Sequence, residues 1–96
     1  TDLAQWLYAL CSGAVVGDEL TSQMFDLGTG DYGLGIERGT WPNATLALGH
    51  VGMIPGYVAL AFYMAVSGNV VVVMTNADVE DLVVVLLDLD KAAAAS

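Results

Sequence analysis

Between Tyr57 and Met74 the chain is almost wholly apolar, yet Ser67-Gly68-Asn69 breaks the run near its middle. That interruption constrains the fold more than any other feature of the sequence. An unbroken apolar run of about 20 residues could cross a bilayer as a helix. A polar Asn at the bilayer centre is costly, and no Lys or Arg flanks this stretch to set an orientation. Two apolar runs joined by a short Gly-Asn turn instead predict an antiparallel hairpin, Tyr57 to Val66 and Val70 to Thr75. No membrane span is expected.

The remaining elements follow from periodicity and turn chemistry. Leu46 to Met53 reads as a strand ending at Pro55-Gly56, and Tyr32 to Glu37 as a shorter one; Trp41-Pro42-Asn43 marks a turn. Leu3, Trp6, Leu7 and Leu10 recur at helical spacing, so residues 2–12 read as an amphipathic helix, with Thr1 as its N-cap and Gly13 as its stop. Gly17 or Asp18 would cap a second short helix that buries Leu20, Met24 and Phe25. Asn76-Ala77-Asp78 would cap a last helix over Val79 to Asp90, with Val79, Leu82, Val83, Leu86 and Leu87 on its apolar face. Val84 and Val85 widen that face and keep a strand as the alternative. The fold class is α+β: an antiparallel sheet with flanking helices, the last helix lying on one face of the sheet. Residues 91–96 read as an Ala-rich tail.

Composition narrows the functions. Charged residues are 14% of the 96, and hydrophobic residues 56%, so the chain is not disordered. So apolar a short chain suggests either a membrane protein or a piece that packs against something larger. The net charge is −9, with Arg38 and Lys91 the only cations. No basic patch can follow a phosphate backbone, which sets nucleic acid aside as a partner. Cys11 is the single cysteine and His50 the single histidine, so neither a disulfide within the chain nor a zinc site can form. No metal and no cofactor are expected. Asn43-Ala44-Thr45 matches a glycosylation sequon, of consequence only in a eukaryotic secreted protein. Gly28, Gly30 and Gly33 spell G-x-G-x-x-G, but a helix precedes and a strand follows, the reverse of what a dinucleotide site requires. No signal peptide is visible, and the opening Thr1-Asp2-Leu3-Ala4 is how a fragment or a processed chain would begin.

The stretch that carries chemistry is Gly49-His50-Val51-Gly52-Met53-Ile54-Pro55-Gly56-Tyr57. On a strand, His50 and Gly52 share one face. Gly52 leaves that face bare beside the imidazole, and a bare strand next to a polar group suits a peptide-like ligand that pairs with the backbone.

Tyr32-Gly33-Leu34-Gly35-Ile36-Glu37, Gly49-His50-Val51-Gly52 with Pro55-Gly56-Tyr57, and Val73-Met74-Thr75-Asn76 occur in an order that resembles the C-terminal part of serine β-lactamases of class C type. That group includes the related D-alanyl-D-alanine carboxypeptidases and esterases. The segments Asp2-Leu3-Ala4-Gln5-Trp6-Leu7 and Leu10-Cys11-Ser12-Gly13 are similar to the helix before that strand, so the resemblance spans residues 1–90. It implies a penicillin-binding-protein-like fold and a periplasmic or extracellular location. His50-Val51-Gly52 matches the family's Lys-Thr-Gly or His-x-Gly triplet. By resemblance His50 is the catalytic, proton-handling or electrostatic group, Val51 and Gly52 line the substrate, and the Met53 N–H is one of two oxyanion donors. Asn76 matches a polar position near a substrate carboxylate. Val51 stands where a β-lactamase has a hydroxyl residue and His50 where it has lysine, which leans toward a peptidase or esterase relative.

The family's other two elements do not occur. Ser12, Ser22 and Ser67 are followed three residues on by Val15, Phe25 and Val70, never Lys. No Tyr is followed two residues on by Asn or Ser. Without nucleophile and base this chain alone cannot perform covalent catalysis. The expected partners are a small-molecule or peptide substrate and the missing N-terminal part of the same fold. A non-catalytic binding module and a small membrane-associated or interaction protein are the competing readings.

Overall fold

The computed structural model describes residues 2–28, 30–39, 46–77 and 82–95. The expected Thr1 cap, the Trp41-Pro42-Asn43 turn, the sequon at Asn43, and the Asp78 and Val79 start of the last helix lie outside them. The order is α1 (Asp2–Cys11), α2 (Gly17–Met24), β1 (Glu37–Arg38), β2 (Ala47–Ile54), β3 (Tyr57–Met64), β4 (Asn69–Thr75) and α3 (Leu82–Ala95). The four strands form one antiparallel sheet in sequence order.

The long apolar stretch folds as the interruption predicts. β3 and β4 pair from Val58↔Thr75 to Met64↔Asn69, and residues 65–68 turn between them with Gly68 at φ 78°. β2 and β3 meet at Ile54↔Tyr57, leaving Pro55-Gly56 as a two-residue loop. Proline sets the first corner, and Gly56 at φ 84° supplies the positive φ needed at the second. Among the described residues no helix is long and apolar enough to cross a membrane.

Alternation sorts the sheet into two apolar faces. Ala47, Val58, Leu60, Phe62, Met64 and Val71 meet Leu82 and Leu86 of α3 in the main core. Phe62, Met64 and Leu86 are fully buried there; each such side chain contributes about 1.5–3 kcal/mol of transfer free energy. α1 covers the opposite face over β3 and β4, burying Leu7 and Leu10. The α3 C-terminal half is tied to the β3–β4 turn through Asp90, whose Oδ1 accepts from Ser67 Oγ at 2.6 Å and Asn69 Nδ2 at 3.0 Å.

Four local expectations change. Residues 32–36 are not a strand: they form a tight turn into β1, closed by a single bridge between Tyr32 and Glu37. The Gly33 N–H donates to the Ile36 carbonyl at 2.6 Å, and Gly35 takes φ 74°. The N-cap of α2 is Val16, with no side-chain cap bond, so neither Gly17 nor Asp18 caps it. Leu20 is 54% exposed; the buried residue of α2 is Thr21, whose Oγ1 donates back to the Gly17 carbonyl. Finally, α3 is a helix, with Val84 and Val85 exposed, and it continues through the alanines to Ala95, in keeping with alanine's high helix propensity.

Candidate functional site

The site is the C-terminal half of β2. β1 pairs only with Leu48 and Gly49, and the Gly39 N–H bonds the Ala47 carbonyl just before them. From His50 onward β2 is paired to β3 alone among the described strands, and Val51, Met53 and Ile54 are exposed, Met53 at 71%.

Backbone direction along this edge follows from two bonds. The Val51 N–H points away from β3 and donates to Glu37 Oε1 at 2.9 Å. Its carbonyl accepts from His50 Nδ1 at 2.6 Å. Two residues on, the strand period repeats that orientation, so the Met53 N–H and carbonyl also face the open edge. Gly52, between them, directs its backbone to β3.

His50 is exposed and held at both ring nitrogens. A carbonyl only accepts, so Nδ1 carries the hydrogen that reaches Val51. In the neutral ring Nε2 is then an acceptor, and the Tyr32 hydroxyl donates to it at 2.9 Å. The rings meet edge to face at 90°, with centroids 5.6 Å apart.

The two glycines flanking His50 and Val51 have different causes. A Cβ at Gly49 would overlap the Ala61 carbonyl oxygen and press on the Phe62 Cα, so packing alone demands glycine there. A Cβ at Gly52 would meet only the Ala59 Cβ, at an ordinary 4.0 Å. Among the described residues nothing packs close enough to require glycine at position 52. Beside it lies a shallow apolar depression of about 320 Å³, lined by Gly52, Met53, Ile54, Tyr57, Ala59 and Met74 among others.

The fold thus brings His50, Val51, Gly52 and Met53 together on one strand edge. It does not bring Asn76 to them. Asn76 is exposed just past the end of β4, and β3 separates β4 from β2, which puts its backbone about 10 Å away at two strand spacings. Tyr32 and Glu37 touch this edge, though in the sequence they stand only as strand positions within a family-like motif and were given no role at the site. Their signal was the spacing of Gly33 and Gly35, which folds 32–37 into a turn and sets the two residues opposite each other. No group of three or more His, Cys, Asp or Glu that could hold a metal occurs among the described residues. Burial pushes the Cys11 thiol up to about 11, away from reactive thiolate.

No protein-family model and no curated protein matches the chain. Among solved structures it is similar to the D-amino acid amidase from Ochrobactrum anthropi SV3, in a crystal structure of its complex with D-phenylalanine, with a TM-score of 0.71 and 20% sequence identity. The match covers 99% of this chain and 35% of the amidase, so the chain spans about one third of its length. At this identity the likeness establishes architecture: a four-stranded antiparallel sheet with α1 and α3 packed on it, in the manner of β-lactamase and penicillin-binding-protein folds.

Proposed function

We propose that this chain is the substrate-edge portion of a serine acyl-transfer hydrolase acting on an amide or ester. The single observation that carries the reading is the open half of β2, where Gly52 is small without any packing reason and stands beside an oriented imidazole. Gly52 then leaves room for substrate, and the substrate backbone or acyl group lies along Val51 to Met53. The Met53 N–H, aimed at the open edge, is one oxyanion donor; such a donor contributes about 3–4 kcal/mol to the transition state. His50 is the proton-handling or electrostatic group. The amidase's complex with D-phenylalanine supports a small substrate of this kind. Lactam, D-alanyl peptide and simple ester are the candidate substrates, and the periplasm or the extracellular space is where such substrates occur.

The nucleophilic serine and its base belong to a preceding part of the same fold. The serine oxygen attacks the carbonyl carbon, the amine or alcohol leaves with a proton, and water hydrolyses the acyl-enzyme. The roughly one-third coverage of the amidase supports this incomplete state, as does β4, which ends the sheet with Val70, Val71, Val72 and Val73 on a strand paired only to β3 among the described strands. Residues 1–90 are then the C-terminal portion of that domain.

The test is labelling with a fluorescent penicillin and a fluorescent fluorophosphonate. The chain is expressed as it stands and, in parallel, with the coding sequence that precedes Thr1. Covalent labelling of the longer protein alone is the expected result. Absence of labelling in both, with the longer protein folded, rejects the enzyme reading and leaves a peptide-binding module.

A further inference from the structure

The turn at residues 32–37 presents two polar side chains to consecutive residues of β2. Tyr32 and Glu37 face each other across the turn through their backbone bridge. The Tyr32 hydroxyl reaches His50 Nε2, and the Glu37 carboxylate reaches the Val51 N–H. Besides the pairing of Glu37 with Gly49, the turn is anchored away from β2. The Leu34 N–H donates to the Met24 carbonyl at 3.1 Å, the Arg38 N–H to the Asp31 carbonyl at 2.8 Å, and the Gly33 N–H to Ile36. A Cβ at Gly33 would lie 2.6 Å from the Met24 carbonyl oxygen, so the turn sits directly on the end of α2. Two long side chains therefore start from a fixed base and end on the one edge that carries His50.

We propose that Tyr32 is a positioning residue for His50. This rests on the reading of β2 as a substrate edge. Its hydroxyl, donating to Nε2, reinforces the tautomer that the Val51 carbonyl already favours, with hydrogen on Nδ1 and the lone pair on Nε2. The ring is then held at both ends, by Val51 along the strand and by Tyr32 from the turn. Without that donor the exposed ring keeps only its bond to the Val51 carbonyl, and Nε2 can take the hydrogen whenever that one bond opens. Glu37 acts separately from Tyr32. It satisfies the Val51 N–H that β1 is too short to reach, and so ends the ladder just before the open stretch.

The experiment is ¹⁵N NMR of the imidazole in the full chain at alkaline pH, where histidine side chains are neutral. The expected wild-type spectrum shows His50 mainly as the Nδ1–H tautomer. In Tyr32→Phe, which removes only an exposed hydroxyl, the ratio shifts toward Nε2–H with the amide spectrum otherwise unchanged. Glu37→Gln keeps an acceptor for Val51 and leaves the tautomer as in wild type. A wild-type ring that averages like free imidazole or favours Nε2–H overturns the proposal, and so does a tautomer ratio unchanged in Tyr32→Phe. The readout uses no substrate. Its failure leaves the acyl-transfer reading standing, and a failure of covalent labelling leaves the tautomer result intact.

Discussion

The two halves of β2 stand in different surroundings. Ala47 to Gly49 is flanked by β1 and β3, and Ala47 is completely buried. His50 to Ile54 keeps β3 on one side and is exposed along its length. Each half has a glycine, and the pair shows how one residue type serves two ends. Gly49 is glycine because the β3 backbone occupies the space a side chain would take. Gly52 has that space free among the described residues, where a Cβ would meet only the Ala59 Cβ at an ordinary distance.

The comparison can be broken at its covered half first. Phe62 is the register partner of Gly49 and is 1% exposed. Phe62→Ala should cost about 3–5 kcal/mol, a large share of the total stability of a domain this size, and urea unfolding measures it. Gly49→Ala should cost about 3 kcal/mol by overpacking against Ala61, read as a lower urea midpoint with little change of slope. Away from β2, Asp90→Ala leaves Ser67 and Asn69 without their shared acceptor and should cost about 1–2 kcal/mol. Gly52→Ala should change stability by no more than about 0.5 kcal/mol. A Gly52→Ala loss as large as that of Gly49→Ala would erase the distinction between the halves.

The smallest effect concerns α1. Cys11 has its thiol raised from 9.0 to about 11 by burial. The folded state therefore holds this proton more tightly than the unfolded state. Its contribution to stability is fully present below about pH 9 and is lost as pH rises toward 11. Alkylation by iodoacetamide should be slow near neutrality and approach the rate of a free thiol only in that alkaline window or in urea.

Strands β2, β3 and β4 and the β3–β4 hairpin were legible because the chain marks its turns with Pro55-Gly56 and Ser67-Gly68-Asn69 and fills the intervals with apolar residues. Helix α3 was legible from Leu82 and Leu86, four residues apart. The turn at 32–37 was not. Leu34 and Ile36 alternate as in a strand, but Ile36 is buried and Leu34 is 68% exposed on a turn. Leu20 misled for a related reason: an apolar residue on a short helix has no core partner unless some element comes to meet it. His50, Val51, Gly52 and Met53 were legible as one strand edge because alternation is local. The hydroxyl of Tyr32 and the carboxylate of Glu37 were not, since their reach to β2 depends on where the turn is anchored on α2. Asn76 was placed by motif order, and sheet order separates it from the edge.

The central claim is that the open half of β2 receives a substrate. The most direct measurement is the rate of fluorescent penicillin or fluorophosphonate labelling in Gly52→Val, made in the protein that includes the coding sequence before Thr1. The account predicts an unchanged unfolding midpoint and a labelling rate lower by about 100-fold, the scale expected when a reacting group is displaced by about 1 Å. Labelling at the wild-type rate in a folded Gly52→Val protein would contradict it.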